Sequence, residues 1–504
     1  MLQIRQIGKY WGKFLMRILF FFKNNESLGI QYLSALLKKA GHKTDLLFDL
    51  QNDEFGSLFL NIFSGLNNNI IDKEIKLFKP DLIAFSAFTN TFPWVSKIAK
   101  YIHDNYDIPI LLGGYHPTLA PEYVLEKDFV DYICVGDGEP VIIPFVEALE
   151  AGKTEINVPG IWYKNGKNII RNTIPPLIQN LDDLPFPDKD LFYKFGAFTK
   201  RYSMVTGRGC PNNCTYCVNH QLHKLYPGQK MVRKRSVDNV IEELKWAKRK
   251  YNIEHIHFSD DDFLLNVEWL REFVEKYKKE DFDFKFKILA NSKTITDEKV
   301  RLVKSINCRL IAMGVESGSY QIRSQILNRK IKDDVIIRAS NILHKYKVPF
   351  DTFNLINIPT EKPSDMIKTL VLNRKIKPNG FQILDIYPFP NSEIAKICFE
   401  NKILDENGVN KIFEGAPIFG RESLLKHNYS QLGEQIRNYG FIYVKLPHFM
   451  RKLVFRIPSN VLLGKLNLLF STDITNLMLK LDETFMMALK TFSYYSNFSQ
   501  LRVE

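Results

Sequence analysis

Two series of short apolar runs alternating with amphipathic stretches, separated by a proline-rich break, constrain the fold of this chain more than any other feature. In the first series, strand-like runs at 17–22, 44–48, 82–88, 109–112 and 132–135 alternate with helical spacing at 28–40, 94–103, a stretch opening at Pro121, and 140–150. Strands separated by helices pair in parallel, so the series predicts a parallel sheet covered on both faces. Residues 16–152 are expected to form a doubly wound, Rossmann-like α/β domain behind a short extension, 1–15.

Residues 153–198 lose the helical period and carry Pro159, Pro175, Pro176, Pro185 and Pro187, with a hairpin expected at 161–170 around Asn165 and Gly166. They read as a linker. The second series places strands near 202–207, 255–259, 285–290, 309–314, 350–356 and 381–386, with helices between them, for example 237–251 behind the cap Ser236. Six βα units predict a partial (β/α)6 barrel over 199–394, whose working face lies at the carboxyl ends of its strands. Beyond it, 395–504 is expected to be a mainly helical, basic region. Within 441–472 there is no acidic residue, yet Lys445, Arg451, Lys452, Arg456 and Lys465 sit among apolar side chains. The stretch reads as a helical cap on the barrel, with peripheral contact to an anionic membrane surface as the alternative.

Composition narrows the class. The chain has 504 residues, 45% hydrophobic and 25% charged, which is globular rather than disordered or collagenous. Its 69 Lys and Arg exceed its 56 Asp and Glu by 13, but the excess is scattered, so no specific nucleic-acid partner is expected. No apolar run reaches the ~18 residues of a membrane span, and the start lacks a small-residue cleavage site. The expected location is the cytoplasm.

Six cysteines stand at 134, 210, 214, 217, 308 and 398. Three crowd into Cys210-Pro211-Asn212-Asn213-Cys214-Thr215-Tyr216-Cys217, a C-x3-C-x2-C loop placed directly after the first strand of the second series. That is no disulfide framework. Three thiolates suit three irons of a four-iron cluster, leaving one iron open to a chelating small molecule. The alternative is zinc, with His220 or His223 as fourth ligand.

The loop, with aromatic Tyr216 before its last thiol, resembles that of radical S-adenosylmethionine (radical SAM) enzymes. The resemblance extends along the barrel through Phe258-Ser259-Asp260-Asp261-Asp262-Phe263, Gly314-Val315-Glu316-Ser317-Gly318-Ser319 and Ile326-Leu327-Asn328-Arg329-Lys330. It implies a [4Fe-4S] cluster on Cys210, Cys214 and Cys217, with S-adenosylmethionine (SAM) chelating the open iron. It also implies Tyr216 beside the adenine, Asp260 or Asp261 near the methionyl amino group, and Glu316 with Ser317 near the ribose and methionyl moiety. The chain departs from the family pattern at Asn357, which replaces a glycine in the fifth-strand motif, and at Pro388-Phe389-Pro390-Asn391-Ser392.

The first domain carries Glu26-Ser27-Leu28-Gly29, Ala40-Gly41-His42, Gly113-Gly114-Tyr115-His116-Pro117 and Val135-Gly136-Asp137-Gly138-Glu139. Their order is similar to that of the cobalamin-binding domain joined to many radical SAM enzymes. The resemblance implies a cobalamin site that includes Ser86, Gly113, Gly114, His116 and Gly136, the glycines leaving room for the ligand at the strand ends. No Asp-x-His-x-x-Gly loop is present, since Asp49-Leu50-Gln51-Asn52-Asp53 follows the second strand. Cobalamin is therefore expected without a histidine from that motif.

Together these features imply a cobalamin-dependent radical SAM enzyme that transfers methyl to an unactivated carbon through a 5′-deoxyadenosyl radical and methylcobalamin. Two alternatives stand beside it: a radical SAM cyclase or rearrangement enzyme without methyl transfer, and a zinc-stabilised nucleic-acid-binding module. The expected partners are a small-molecule or lipid-like substrate and an external one-electron reductant such as flavodoxin or ferredoxin. No general base is evident in the sequence.

Overall fold

The computed structural model describes residues 15–23, 25–50, 66–198, 200–416, 424–426, 430–447 and 490. In the first unit, β1 (Arg17–Lys23), β2 (Lys43–Asp49), β3 (Leu82–Ser86), β4 (Ile110–Gly113) and β5 (Tyr132–Cys134) form a parallel sheet in the order β2-β1-β3-β4-β5. Its faces are covered by α1 (Leu28–Lys39), α2 (Asn68–Phe78), α3 (Phe92–Asn105) and α4 (Ile142–Glu150). Alternate residues of β1 part to opposite cores. Ile18, Phe20 and Phe22 pack with α1 and α4, whereas Leu19 and Phe21 pack with α2 and α3. Burial on both faces is why β1 reads as an unbroken apolar run. Ser27 starts α1, its Oγ accepting from the Ile30 N–H at 3.3 Å. Strand order reverses between β1 and β3, which opens a crevice above their carboxyl ends, the place where such sheets take ligands.

The hairpin of the expected linker belongs to this sheet: β6 (Ile161–Asn165) and β7 (Asn168–Arg171) extend it antiparallel beyond β5. The rest of the linker crosses to the second unit and buries Lys189 completely. Its Nζ donates to Glu26 Oε2 at 2.8 Å and to the Ser203 carbonyl at 2.7 Å, tying the loop before α1 to β8 (Arg201–Met204). A buried ammonium is tolerable only with such partners.

After β8 come a two-stranded antiparallel ribbon, β9 (Gly207–Arg208) and β10 (Arg233–Lys234), and the strands β11 (His255–Phe258), β12 (Lys285–Ala290), β13 (Cys308–Glu316), β14 (Phe350–Ile356) and β15 (Gly380–Asp385). β8 and β11 to β15 make a six-stranded, all-parallel sheet in sequence order. Between the strands run α5 (Val218–Leu225), α6 (Val237–Lys250), α7 (Val267–Lys279), α8 (Asp297–Lys304), α9 (Asp333–Lys345) and α10 (Pro363–Ile376). Tyr202, Met204, Ile256, Phe258, Phe286 and Ile288 turn to these helices and build the larger core. This is the partial (β/α)6 barrel.

The C-terminal region supplies α11 (Glu393–Glu400), α12 (Glu406–Phe413) and α13 (Ser430–Lys445). Ile436 and Val444 of α13 pack on Phe381 of the edge strand β15 and on Leu370 of α10. Most of the basic stretch at 441–472 and the extension at 1–15 lie outside the described residues. Among the described residues, no helix is long and apolar enough to cross a membrane.

Candidate functional site

The cysteine loop leaves β9 at the carboxyl end of the first barrel strand. Cys214 is buried, while Cys210 and Cys217 are half-buried. Asn212 Nδ2 donates to Cys210 Sγ at 3.3 Å, Asn219 Nδ2 to Cys217 Sγ at 3.7 Å, and the Arg329 side chain to Cys214. Burial pushes the Cys217 thiol up to about 12 and raises Cys210. Metal binding overrides such shifts, because a coordinated thiol is deprotonated outright. Each thiol has a donor aimed at sulfur, as suits a thiolate ligand whose potential is set by hydrogen bonds.

This donor set fits a cluster better than a single zinc ion. A cluster needs its cysteines on separate irons. Each histidine turns one ring nitrogen to a backbone carbonyl of the loop: His223 Nε2 lies 2.9 Å from the Cys210 oxygen and His220 Nδ1 3.4 Å from that of Asn213.

Beside Cys214 the chain assembles Tyr216, Glu316 and Arg329. Glu316 ends β13 in a left-handed conformation, φ 67°, and its carboxylate accepts from the Tyr216 hydroxyl. The carboxylate lies over Gly314, where an added Cβ would meet Glu316 Oε1 at 2.1 Å. Arg329 Nη2 donates to the Gly314 carbonyl at 2.8 Å. Burial raises the Glu316 carboxyl, and the Arg329 guanidinium opposes it. Burial, reinforced by the Glu316 charge, lifts the Tyr216 phenol well above its usual range.

The two adjacent aspartates have opposite fates. Asp261 projects into the space beside the loop, accepting from Asn219 Nδ2 at 3.1 Å and from the Gly209 N–H, and burial raises its carboxyl. Asp260 is buried and accepts from the Thr206 N–H at 2.6 Å, the Gly207 N–H at 3.2 Å, Lys234 Nζ at 2.9 Å and the Thr206 hydroxyl. Its oxygens hold the β8–β9 turn, so of the two aspartates offered for the amino group Asp261 is the one that lines the cavity. Ser317 is likewise fully buried, its Oγ accepting from the Ser319 N–H at 3.2 Å, so it shapes the turn after β13.

A cavity of about 570 Å³ lies between the barrel and the first sheet. It sits at the β1–β3 crevice and is walled by Phe20, Phe22, Ser86, Gly113, Gly114 and Gly136 on one side and by Ser203, Arg208, Gly209, Asn219 and Asp261 on the other. Gly209 and Asn219 bring it to the cysteine loop. Phe88 and Tyr115 stay 39% and 43% exposed and also line it, their rings 5.7 Å apart. Such bare aromatic faces suit a large planar ligand. Sequence reasoning missed both; the one signal was the position of Tyr115, directly after two glycines.

His116, expected in the cobalamin site, stands behind the cavity wall rather than among its lining residues. It is fully buried, stacked on Phe92 at 4.2 Å with Nδ1 3.3 Å from Thr89 Oγ1, and burial drives its pKa down to about 3. An added Cβ at Gly114 would meet the Ala87 carbonyl at 2.8 Å, and one at Gly136 the Tyr226 hydroxyl at 2.1 Å, so packing within the protein also requires glycine at these two lining positions. The cavity wall, its aromatic shelf and its place in the crevice fit a corrinoid.

Asn357 departs from the family pattern to make a contact of its own. In a left-handed conformation, φ 57°, it turns Nδ2 to Asp385 Oδ1 at 2.6 Å and rests against Gly433 of α13.

Residues 204–372 match the Radical SAM superfamily and residues 23–143 the B12 binding domain. An uncharacterized methyltransferase, PH0819, of Pyrococcus horikoshii is 29% identical over 75% of this chain and 79% of its own length. The anaerobic magnesium-protoporphyrin IX monomethyl ester cyclase of Rubrivivax gelatinosus is 24% identical over 75% of this chain and 69% of its own. Among solved structures, the cobalamin-dependent S-adenosylmethionine radical enzyme OxsB, with aqua-cobalamin bound, shares the fold with a TM-score of 0.68, at 14% identity, over 96% of this chain and 81% of that one. With the cysteine loop beside one wall of the cavity and a ligand crevice on the other, the chain belongs to the radical SAM superfamily, in the form that carries an N-terminal B12 binding domain.

Proposed function

We propose that this protein is a cobalamin-dependent radical SAM methyltransferase that places a methyl group on an unactivated carbon of a small-molecule or lipid-like substrate. The observation that carries the reading is the cavity that runs from the β1–β3 crevice to Gly209 and Asn219, the residues that flank the cysteine loop. When bound, the cluster supplies the electron that cleaves SAM, and cobalamin carries a methyl group. Cys210, Cys214 and Cys217 hold the cluster, and the amides of Asn212 and Asn219 steady two of the sulfurs. Tyr216, Asp261 and Glu316 are assigned to SAM, with Asp261 offering the carboxylate that faces an ammonium. Ser86 and the bare rings of Phe88 and Tyr115 are assigned to the corrinoid. Phe20, Phe22 and Leu222 line the same cavity and exclude water, which lowers the local dielectric and suppresses quenching of reactive species.

The electron comes from an external reductant such as flavodoxin or ferredoxin, and the cytoplasm is the compartment that keeps the thiols reduced. The test uses the full chain, reconstituted anoxically with iron, sulfide and cobalamin, then reduced in the presence of methyl-labelled SAM. Release of both S-adenosylhomocysteine and 5′-deoxyadenosine supports methyl transfer. Deoxyadenosine alone favours cyclisation or rearrangement, as the cyclase relative performs, and neither product refutes both readings.

A further inference from the structure

The ribbon that precedes the cysteine loop carries two arginines, Arg208 and Arg233, that line the cavity together with Asp137 and Glu139 and are given no role in cofactor binding above. Arg208 on β9 is paired directly with Arg233 on β10. Two like charges facing each other across strands repel, and both guanidiniums are largely buried. They are neutralised from the other domain: Arg208 Nη2 donates to Glu139 Oε1 at 2.6 Å, and Arg233 Nη1 lies 3.4 Å from Asp137 Oδ2, with Arg208 Nη1 3.9 Å from the same oxygen. Asp137 and Glu139 belong to the loop after β5 that carries Gly136, on the sheet wall of the cavity. Burial works against the Glu139 charge, and the Arg208 guanidinium outweighs it, holding the carboxyl below its usual range.

The backbone of the ribbon is closely packed at this point. An added Cβ at Gly207 would meet the Arg233 carbonyl at 2.8 Å and one at Gly209, φ 86°, the Met231 carbonyl at 2.2 Å. Arg208 is therefore fixed two residues before Cys210, and its guanidinium extends across the domain boundary. Tyr226, at the end of α5, completes the junction by accepting from the Asp137 N–H at 2.8 Å.

We infer that the paired arginines and the Asp137–Glu139 loop form an interdomain clamp that sets the spacing between the thiolate loop and the sheet wall of the cavity. Arg208 and Glu139 act as positioning residues: the ribbon keeps its conformation only while the acidic loop of the other domain is seated on it. The inference rests on the proposed function for its catalytic consequence, but the clamp itself is independent of any cofactor.

The test separates the two. Amide hydrogen exchange is measured on the full chain before and after reconstitution, for the wild type, Glu139→Gln, Arg208→Lys and the charge swap Arg208→Glu with Glu139→Arg. The clamp predicts that Glu139→Gln, a change in the first domain, speeds exchange at least tenfold across the ribbon and cysteine loop of the second, 207–217, and that Arg208→Lys loosens 136–140 in return. The swap restores protection to within about threefold, which also shows that lost protection reflects pairing rather than misfolding. In reconstituted protein, S-adenosylhomocysteine formation falls at least tenfold more than 5′-deoxyadenosine formation in Glu139→Gln. Unchanged exchange at 207–217 in Glu139→Gln, or a swap no more protected than the single variants, overturns the clamp. Wild-type protein that binds no cobalamin refutes the methyltransferase reading and leaves the exchange comparison to decide the clamp.

Discussion

Beside the barrel's wall of the cavity stand the cysteine loop and Asp261, whereas the sheet's wall sets glycines and two bare aromatic rings next to the acidic pair Asp137 and Glu139. On the first, Cys210, Cys217 and Asp261 each receive a hydrogen bond from a named amide. On the second, Gly114 and Gly136 are filled behind by Ala87 and Tyr226, and Phe88 and Tyr115 remain uncovered. The difference follows from what each wall has to hold. Iron demands particular donor atoms, so chemistry selects the residues. A broad planar ligand demands shape, which many residues can supply.

The largest effect that could break this contrast lies at the thiols. Any one of Cys210→Ala, Cys214→Ala or Cys217→Ala is expected to reduce cluster iron and 5′-deoxyadenosine formation to background, by iron analysis and product chromatography, while bound cobalamin persists. Loss of cobalamin in step with iron would show that the walls are not independent. Next comes Gly136→Ala, which forces a side chain into a left-handed position against Tyr226 and costs about 2 kcal/mol or more. A lowered denaturation midpoint with reduced corrinoid retention is expected, with iron content kept.

His116→Phe sharpens the comparison with a smaller effect. Cobalamin content stays at the wild-type level, and stability falls by about 1 kcal/mol for the lost hydrogen bond. The sign with pH follows from its depressed pKa of about 3. The unfolded chain binds a proton near pH 6.5 that the folded chain refuses, so wild-type stability is lost as pH falls from about 6.5 toward 3. The variant lacks that slope, and its deficit should shrink with acidification, as denaturant titrations at several pH values will read. Smallest is Asn357→Gly, which keeps the left-handed backbone and removes one side-chain contact to Asp385, lowering stability by about 1 kcal/mol at most.

The same contrast governs how much the sequence discloses. The cysteine loop is legible because three donors in eight residues leave few geometries, and the parallel sheets are legible because strands buried on both faces read as apolar runs. His116 is not. Whether a histidine after Gly-Gly faces a ligand or the core is decided here by Thr89 and Phe92, more than twenty residues away. Asp260 and Asp261 are chemically alike, and only the position of Thr206 and Lys234 makes one a brace and leaves the other facing the cavity. Arg208 and Arg233 meet only because an antiparallel ribbon folds residues far apart in sequence onto one rung.

The most direct measurement is electron paramagnetic resonance of anoxically reconstituted, reduced protein titrated with SAM. The account predicts a [4Fe-4S] signal whose g-values shift as SAM chelates the iron that has no cysteine. An absent signal, or one indifferent to SAM, would contradict the assignment of an open iron to this thiolate loop.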